Sequence, residues 1–185
     1  IMCAVTRAVT ESIHSYPKVY NLGHPAIKEL LNDPVVIEEK IDGSQFSFGV
    51  LGGELRMRSK GKQIEPEAPD KMFEEAVAAA KKRADMLTPG WIYRCEYLRI
   101  PKHNTLSYER TPQDYLILFD VEVAPNEFLN PFERAIEAKR IELEVVPIGP
   151  EHKDEVNSLE DIQDLLEQES CLGGTKVEGI VLKYY

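Results

Sequence analysis

Apolar residues in this chain fall mostly into short runs with the period of a strand. Val35-Val36-Ile37 opens one such run, which ends at Glu39. Residues 45–51 alternate, with Phe46 and Phe48 flanking Ser47, and residues 54–59 alternate again. Gly52-Gly53 between those runs predicts a tight hairpin, because a two-residue turn that matches strand twist needs positive φ. Further strands are predicted over 91–98, 115–123, 143–148 and 177–183. The helix period holds over 69–87, where Met72, Phe73, Ala76, Val77, Ala80, Ala84 and Leu87 share a face. Two more helices are predicted over 131–141 and 158–169, the second opened by Ser158 with Glu160 and Asp161 in its first turn. A short helix over 25–31 should end at Asn32-Asp33-Pro34, and residues 1–24 show no clear period. Strands and helices mix without regular β-α-β alternation, so the expected class is α+β with largely antiparallel sheets.

Composition narrows the picture. At 185 residues the chain suits one domain with a substantial core. Hydrophobic residues at 43% and charged residues at 29% are those of an ordinary globular protein. No apolar run is long enough to span a bilayer and no signal-peptide pattern is present, so a cytoplasmic protein without membrane contact is expected. Cys3, Cys95 and Cys171 form neither a metal-ligand pattern nor a disulfide framework, which fits a reducing compartment. A net charge of −10 argues against non-specific coating of nucleic acid, while leaving room for a local basic groove. A monomer is expected. The chain begins with Ile1 and stops at Tyr185 directly after an apolar run, so trimming at one or both ends is expected.

The candidate chemistry lies where charges interrupt apolar strands. Lys40 follows the first strand and precedes the turn Ile41-Asp42-Gly43-Ser44. A lysine between an apolar strand and acidic neighbours can be desolvated, lose its proton more readily and serve as an amine nucleophile. The bland alternative is a lysine at a strand edge. Glu96, Asp120, Glu178 and Lys183 also sit in or beside apolar strands, where a charge needs a partner or a ligand. Together they suggest one pocket: a nucleophile, carboxylates able to hold a hard divalent cation, and a second lysine facing phosphate. Arg58, Lys60 and Lys62 could add phosphate contacts. His14, His24, His103 and His152 are scattered and form no ligand set.

Taken in order, these stretches resemble a known family. Lys40-Ile41-Asp42-Gly43 is similar to the KxDG nucleophile motif of the covalent nucleotidyltransferases, which include ATP-dependent DNA ligases, RNA ligases and mRNA capping enzymes. Arg58-Ser59-Lys60 resembles their second stretch, residues 93–98 motif III with Glu96 as its essential residue, Leu118-Phe119-Asp120-Val121 motif IIIa, and residues 178–183 motif IV. The resemblance spans residues 35–183 and implies an adenylyltransferase domain, similar to ATP-grasp ligase domains, with antiparallel sheets flanked by helices. Gln45 stands where DNA ligases and capping enzymes usually carry Arg, and Glu39 precedes the lysine; both resemble the RNA ligase 2 type, as does the stretch 104–112. Two departures stand out. Cys95 replaces the glycine usual before the motif III glutamate, and the family's KxK motif V does not occur before Tyr185, so either the protein is expected to continue or this form to be impaired.

The resemblance implies ATP and Mg²⁺, with Mn²⁺ as an alternative, and transfer of AMP to Lys40 before a 5′-phosphate is joined to a 3′-hydroxyl. Its implied partner is RNA, or nicked duplex nucleic acid, with a 5′-phosphate end. By the same resemblance Glu178 would hold the metal, Glu96 the ribose hydroxyls, Phe119 the base, and Lys183 and Arg58 phosphate or ribose; Asp42, Gly43 and Gln45 would complete the nucleotide site. Glu39 is an acceptor suited to the adenine amino group, where guanine presents oxygen. An ATP-dependent DNA ligase and a non-catalytic nucleotide- or nucleic-acid-binding relative stay open as alternatives. A metal-dependent hydrolase is the poorest fit.

Overall fold

The computed structural model describes residues 12–149 and 158–185; Cys3 and His152 lie outside them. The strand-period runs form β1 (Val36–Lys40), β2 (Ser44–Leu51), β3 (Glu54–Ser59), β4 (Ile92–Tyr97), β5 (Leu116–Ala124) and β8 (Gly179–Lys183), joined by the two-residue strands β6 (Glu127–Phe128) and β7 (Glu144–Val145). The helix-period runs form α1 (Glu74–Arg83), α2 (Pro131–Arg140) and α3 (Leu159–Asp164). Among the described residues the strands make two sheets. One is six-stranded in the order β3-β2-β4-β5-β6 with β7 also on β5, and the other pairs β1 with β8. Every pairing is antiparallel except β5 with β7. The architecture is therefore α+β, as the sequence predicts.

Local chemistry explains the main turns. Gly52 and Gly53 join β2 to β3 with φ of 59° and 78°, values that glycine adopts without strain. Asn130 caps α2 by accepting from the Glu133 amide at 2.9 Å, with Pro131 in the first turn. Ser158 and Asp161 cap α3 reciprocally through bonds of 2.9 and 3.0 Å.

Three expectations needed adjustment. The predicted helix over 25–31 is two 3₁₀ turns, Pro25–Ile27 and Leu30–Asn32. The predicted helix over 69–87 is α-helical only over Glu74–Arg83, with 3₁₀ turns at either end. The predicted strand over 143–148 keeps two ladder residues, and β6 has too few residues to leave an alternating pattern.

The main core lies between α1 and one face of the larger sheet. Ala76, Val77, Ala79 and Ala80 meet Phe46, Phe48, Tyr93 and Tyr97, small helix residues against large sheet residues. On the other sheet face, Arg94 is buried and donates to Glu122 at 2.6 Å and to Ser47 Oγ at 3.1 Å. Arg94 also donates to the His14 carbonyl, and Arg58 and Gln63 donate to the Ile13 carbonyl. These side chains hold the N-terminal segment, which has no regular structure of its own.

A buried charged cluster joins the two sheets. Arg134 of α2 donates twice to Glu38 of β1, at 3.0 and 2.8 Å, and once to the Phe119 carbonyl of β5 at 2.8 Å. Lys183 of β8 donates to the same carbonyl at 2.6 Å. Asp120 completes the cluster, accepting from Tyr16 and Tyr185. On its opposite side the small sheet packs Ile37, Ile180 and Leu182 against Ile162 of α3. No helix among the described residues is long and apolar enough to cross a membrane. Cys95 and Cys171 are free thiols.

Candidate active site

β1 delivers Glu39 and Lys40 to the end of the small sheet, where Lys40 lies opposite Gly179. That register puts Glu178, one residue before β8, beside the lysine, and Lys40 Nζ donates to Glu178 Oε2 at 2.7 Å. The expectation of a desolvated lysine is corrected here: the Lys40 side chain is 52% exposed and Glu178 31% exposed. An ion pair that open contributes only about 0–1 kcal/mol, so either partner can be drawn to a ligand at small cost.

The turn after Lys40 passes against β4. A Cβ on Gly43 would stand 2.7 Å from the Tyr97 carbonyl and 3.1 Å from Glu96 Oε2, so only glycine allows this approach. Glu96, opposite Gln45 in the ladder, receives the Gly43 amide. Burial pushes the Glu96 carboxyl up to about 8; Lys40 and that amide oppose the shift, while Glu178 and Asp42 add to it. Asp42 behaves differently. Burial alone would raise it, but the amides of Leu106 and Thr105, 2.7 and 2.8 Å away, together with Asn104 and Lys40, hold it below the usual carboxylate range.

Glu39 faces the cleft differently again. Its Oε2 accepts from the Cys171 amide at 2.9 Å. Its Oε1 is buried and has no hydrogen-bond partner. An orphaned buried acceptor is costly, and such atoms mark places where a ligand donor fits. The Cys171 thiol, pushed up to about 12 by burial and then by the charge of Glu39 and a hydrogen bond to its carboxyl, stays protonated beside it, and Oε1 is the oxygen left without a partner.

These groups line one cavity of about 1140 Å³. Glu39, Lys40, Asp42, Gly43, Gln45, Glu96, Phe119, Glu178 and Lys183 all contribute to its wall, and Ile41, Ile117 and Val146 supply apolar surface. The Phe119 and Tyr16 rings stand nearly perpendicular, with centroids 5.2 Å apart. Arg58 does not join them; its guanidinium donates to the carbonyls of Ile13 at 2.9 Å and Ser59 at 3.2 Å. Lys60, two residues on, lines the cavity instead. Lys183 reaches the wall but its Nζ is held among the Phe119 carbonyl, Asp120 at 3.4 Å and Glu38 at 3.7 Å. Burial pulls that ammonium below the ordinary lysine value, with Asp120 and Glu38 opposing. Asp120, read from the sequence as a cation ligand, belongs to the same buried cluster.

Tyr16 and Lys18 line the cavity without any sequence signal, since they come from the segment without a period; Asn104 lies in the stretch 104–112 that resembles RNA ligases, where the resemblance assigns it no role. His103, read as isolated, lies 2.8 Å from Ser44 Oγ. Among the described residues no group of three or more His, Cys, Asp or Glu side chains is arranged to hold a metal. A cation here would take most of its ligands from phosphate and water, as Mg²⁺ commonly does.

A family model described as RNA ligase matches residues 33–185. Solved structures of the RNA ligase of Naegleria gruberi share the fold. A point variant with ATP and Mn gives a TM-score of 0.71 at 18% identity, over 92% of this chain and 52% of that one. The ligase with PPi gives 0.67 at 18% identity, over 94% and 55%. A second variant with ATP and Mn gives 0.67 at 19% identity, over 86% and 48%. The chain thus spans about half the length of these structures, and at this identity the likeness is one of fold. None of the curated proteins compared with the chain matches it.

Proposed function

The chain belongs to the RNA ligase family, within the covalent nucleotidyltransferases, and from that premise we propose that it uses ATP to form a lysyl-AMP at Lys40 and seals RNA ends. The observation that carries this reading is the meeting of Lys40 Nζ, Glu178 and the unpartnered Glu39 Oε1 on one cleft.

The adenine amino group would donate to Glu39 Oε1, satisfying the orphaned acceptor, with Phe119 against the base and Glu96 near the ribose hydroxyls. Lys183 then acts at one remove, since its bond to the Phe119 carbonyl fixes the strand that carries the ring. Arg58 likewise anchors the N-terminal wall. Lys40 Nζ attacks the α-phosphorus; an N–P bond forms, the α–β bridging P–O bond breaks, and pyrophosphate leaves. The amine must first lose its proton to solvent, which the half-exposed position of Lys40 allows, and Glu178 Oε2 at 2.7 Å holds the amine in the cleft. Glu178 would also hold Mg²⁺ or Mn²⁺, which when bound neutralises phosphate charge. A 5′-phosphate oxygen would next take the AMP from Lys40, and a 3′-hydroxyl would displace it, leaving a phosphodiester. Splitting the reaction this way replaces one difficult displacement by easier ones.

Incubation with α-phosphate-labelled ATP and Mg²⁺, followed by denaturing electrophoresis, tests the first step. Covalent label on the wild type that is absent from Lys40→Ala is expected. No label on the wild type would sink the proposal.

A further inference from the structure

The loop over residues 99–110 lies across the turn that follows Lys40. We propose that this loop is a positioning strap, in which Tyr108 and Asn104 hold the Asp42-Gly43 turn and thereby keep Lys40 in register with the loop that orients Glu39. The proposal rests on Lys40 being the nucleophile.

The strap grips the turn at consecutive residues. Tyr108 is buried and its hydroxyl accepts from the Asp42 amide at 2.8 Å. The Asp42 carboxylate accepts from the amides of Thr105 and Leu106 in return. Asn104 Nδ2 donates to the Gly43 carbonyl at 2.7 Å. The Arg99 amide donates to His103 Nδ1 at 3.3 Å, which leaves Nε2 as the protonated nitrogen donating to Ser44 Oγ at 2.8 Å. The loop thus satisfies the Asp42 amide, the Asp42 carboxylate and the Gly43 carbonyl, while the Gly43 amide goes to Glu96 of β4.

The same loop continues to the other side of the cleft. The Glu109 amide donates to the Gly173 carbonyl at 2.9 Å and the Arg110 amide to the Leu172 carbonyl at 3.3 Å. That second loop supplies the Cys171 amide that orients Glu39. One continuous stretch therefore touches the turn after the nucleophile and the loop that sets the Glu39 carboxyl. None of its contacts requires substrate, so the register exists in the free protein. Preorganisation of this kind acts on the rate of the chemical step more than on ground-state affinity.

Two variants and two readouts test it. Tyr108→Phe removes one hydroxyl from a buried ring, and Asn104→Ala removes one amide from an exposed residue, which does not threaten folding. In Tyr108→Phe, hydrogen exchange at the Asp42 amide should speed up about tenfold or more, a change read without any chemistry. In both variants, label incorporation from ATP should show kcat lower by about tenfold with KM unchanged, since tenfold corresponds to about 1.4 kcal/mol in the barrier. Unchanged Asp42 exchange, or wild-type kcat in both variants, would overturn the strap. A raised KM at unchanged kcat in Asn104→Ala would make Asn104 a ligand contact and also overturn it. Absence of label from the wild type would overturn the nucleophile reading instead, and amide exchange would still judge the strap by itself.

Discussion

Glu39→Gln separates the demands of folding from those of the proposed base recognition. In the wild type, Oε2 takes the Cys171 amide and Oε1 is buried without a partner. The orientation of a glutamine there is forced. The Cys171 N–H is a donor, so the new carbonyl must face it, and the NH₂ takes the place of Oε1. An acceptor aimed into the cleft becomes a donor at the same point. For the free protein this exchanges a charged group with one unpartnered oxygen for a neutral group with an unpartnered NH₂, and buried charge is the costlier of the two. The variant should melt at or above the wild-type temperature. For ATP the result is the opposite: an amino group would meet an amino group. Losing a hydrogen bond to a charged acceptor costs about 1.5–3 kcal/mol, so kcat/KM for label transfer from ATP should fall roughly 10- to 150-fold. GTP, with an oxygen at that edge, should gain relative to ATP. Thermal melting and labelling with both nucleotides measure the two effects on one preparation. Labelling from ATP within about twofold of wild type, with no change in preference, would refute the assignment of Glu39.

Other consequences follow from the same geometry. The raised Glu96 carboxyl favours the protonated form in the folded protein, so its contribution to stability is fully present below its ordinary value of 4.5 and is lost as pH rises through about 8. Glu96→Gln should therefore gain in melting temperature over wild type between pH 5 and pH 9, and a constant difference would contradict that shift. Arg134→Met leaves Glu38 and Asp120 buried with only Lys183 among their cationic partners, and urea unfolding should show a loss of about 3–5 kcal/mol. Lys40→Ala should change unfolding stability by less than about 1 kcal/mol, because the pair it breaks is half exposed.

Much of the fold was legible because its signals are local. Gly52-Gly53 needs nothing beyond its own dihedral angles to turn a chain, and Phe46 and Phe48 announce a buried strand face by alternation. The KxDG stretch placed Lys40, and the motif order placed Glu96, Phe119 and Glu178 around the same cleft. What sequence could not convey was the direction of long side chains. Arg58 and Lys183 read as phosphate contacts, yet one is turned to the Ile13 carbonyl and the other into a buried cluster built from β1, α2 and β5. Those destinations depend on partners more than forty residues away. The burial expected for Lys40 failed for a related reason: among the described residues β1 pairs only with β8, so its end opens on the cleft and not into the core. Residues 12–22 carry no period because they join no ladder; side chains of Arg58, Gln63 and Arg94 hold the Ile13 and His14 carbonyls instead. Tyr16 and Lys18 were invisible for that reason. Asn104 and His103 lay in a polar loop whose purpose emerges only when it is seen against the Asp42 turn.

The most direct test of the central claim is to locate the nucleotide on the chain. The protein is incubated with ATP and Mg²⁺, digested under conditions that spare an acid-labile phosphoramidate, and analysed by tandem mass spectrometry. The account predicts an adenylate on the peptide containing Glu39-Lys40-Ile41, carried by Lys40 and released by pyrophosphate. An adenylate on another residue, or an unmodified Lys40 in protein that has bound ATP, would contradict it.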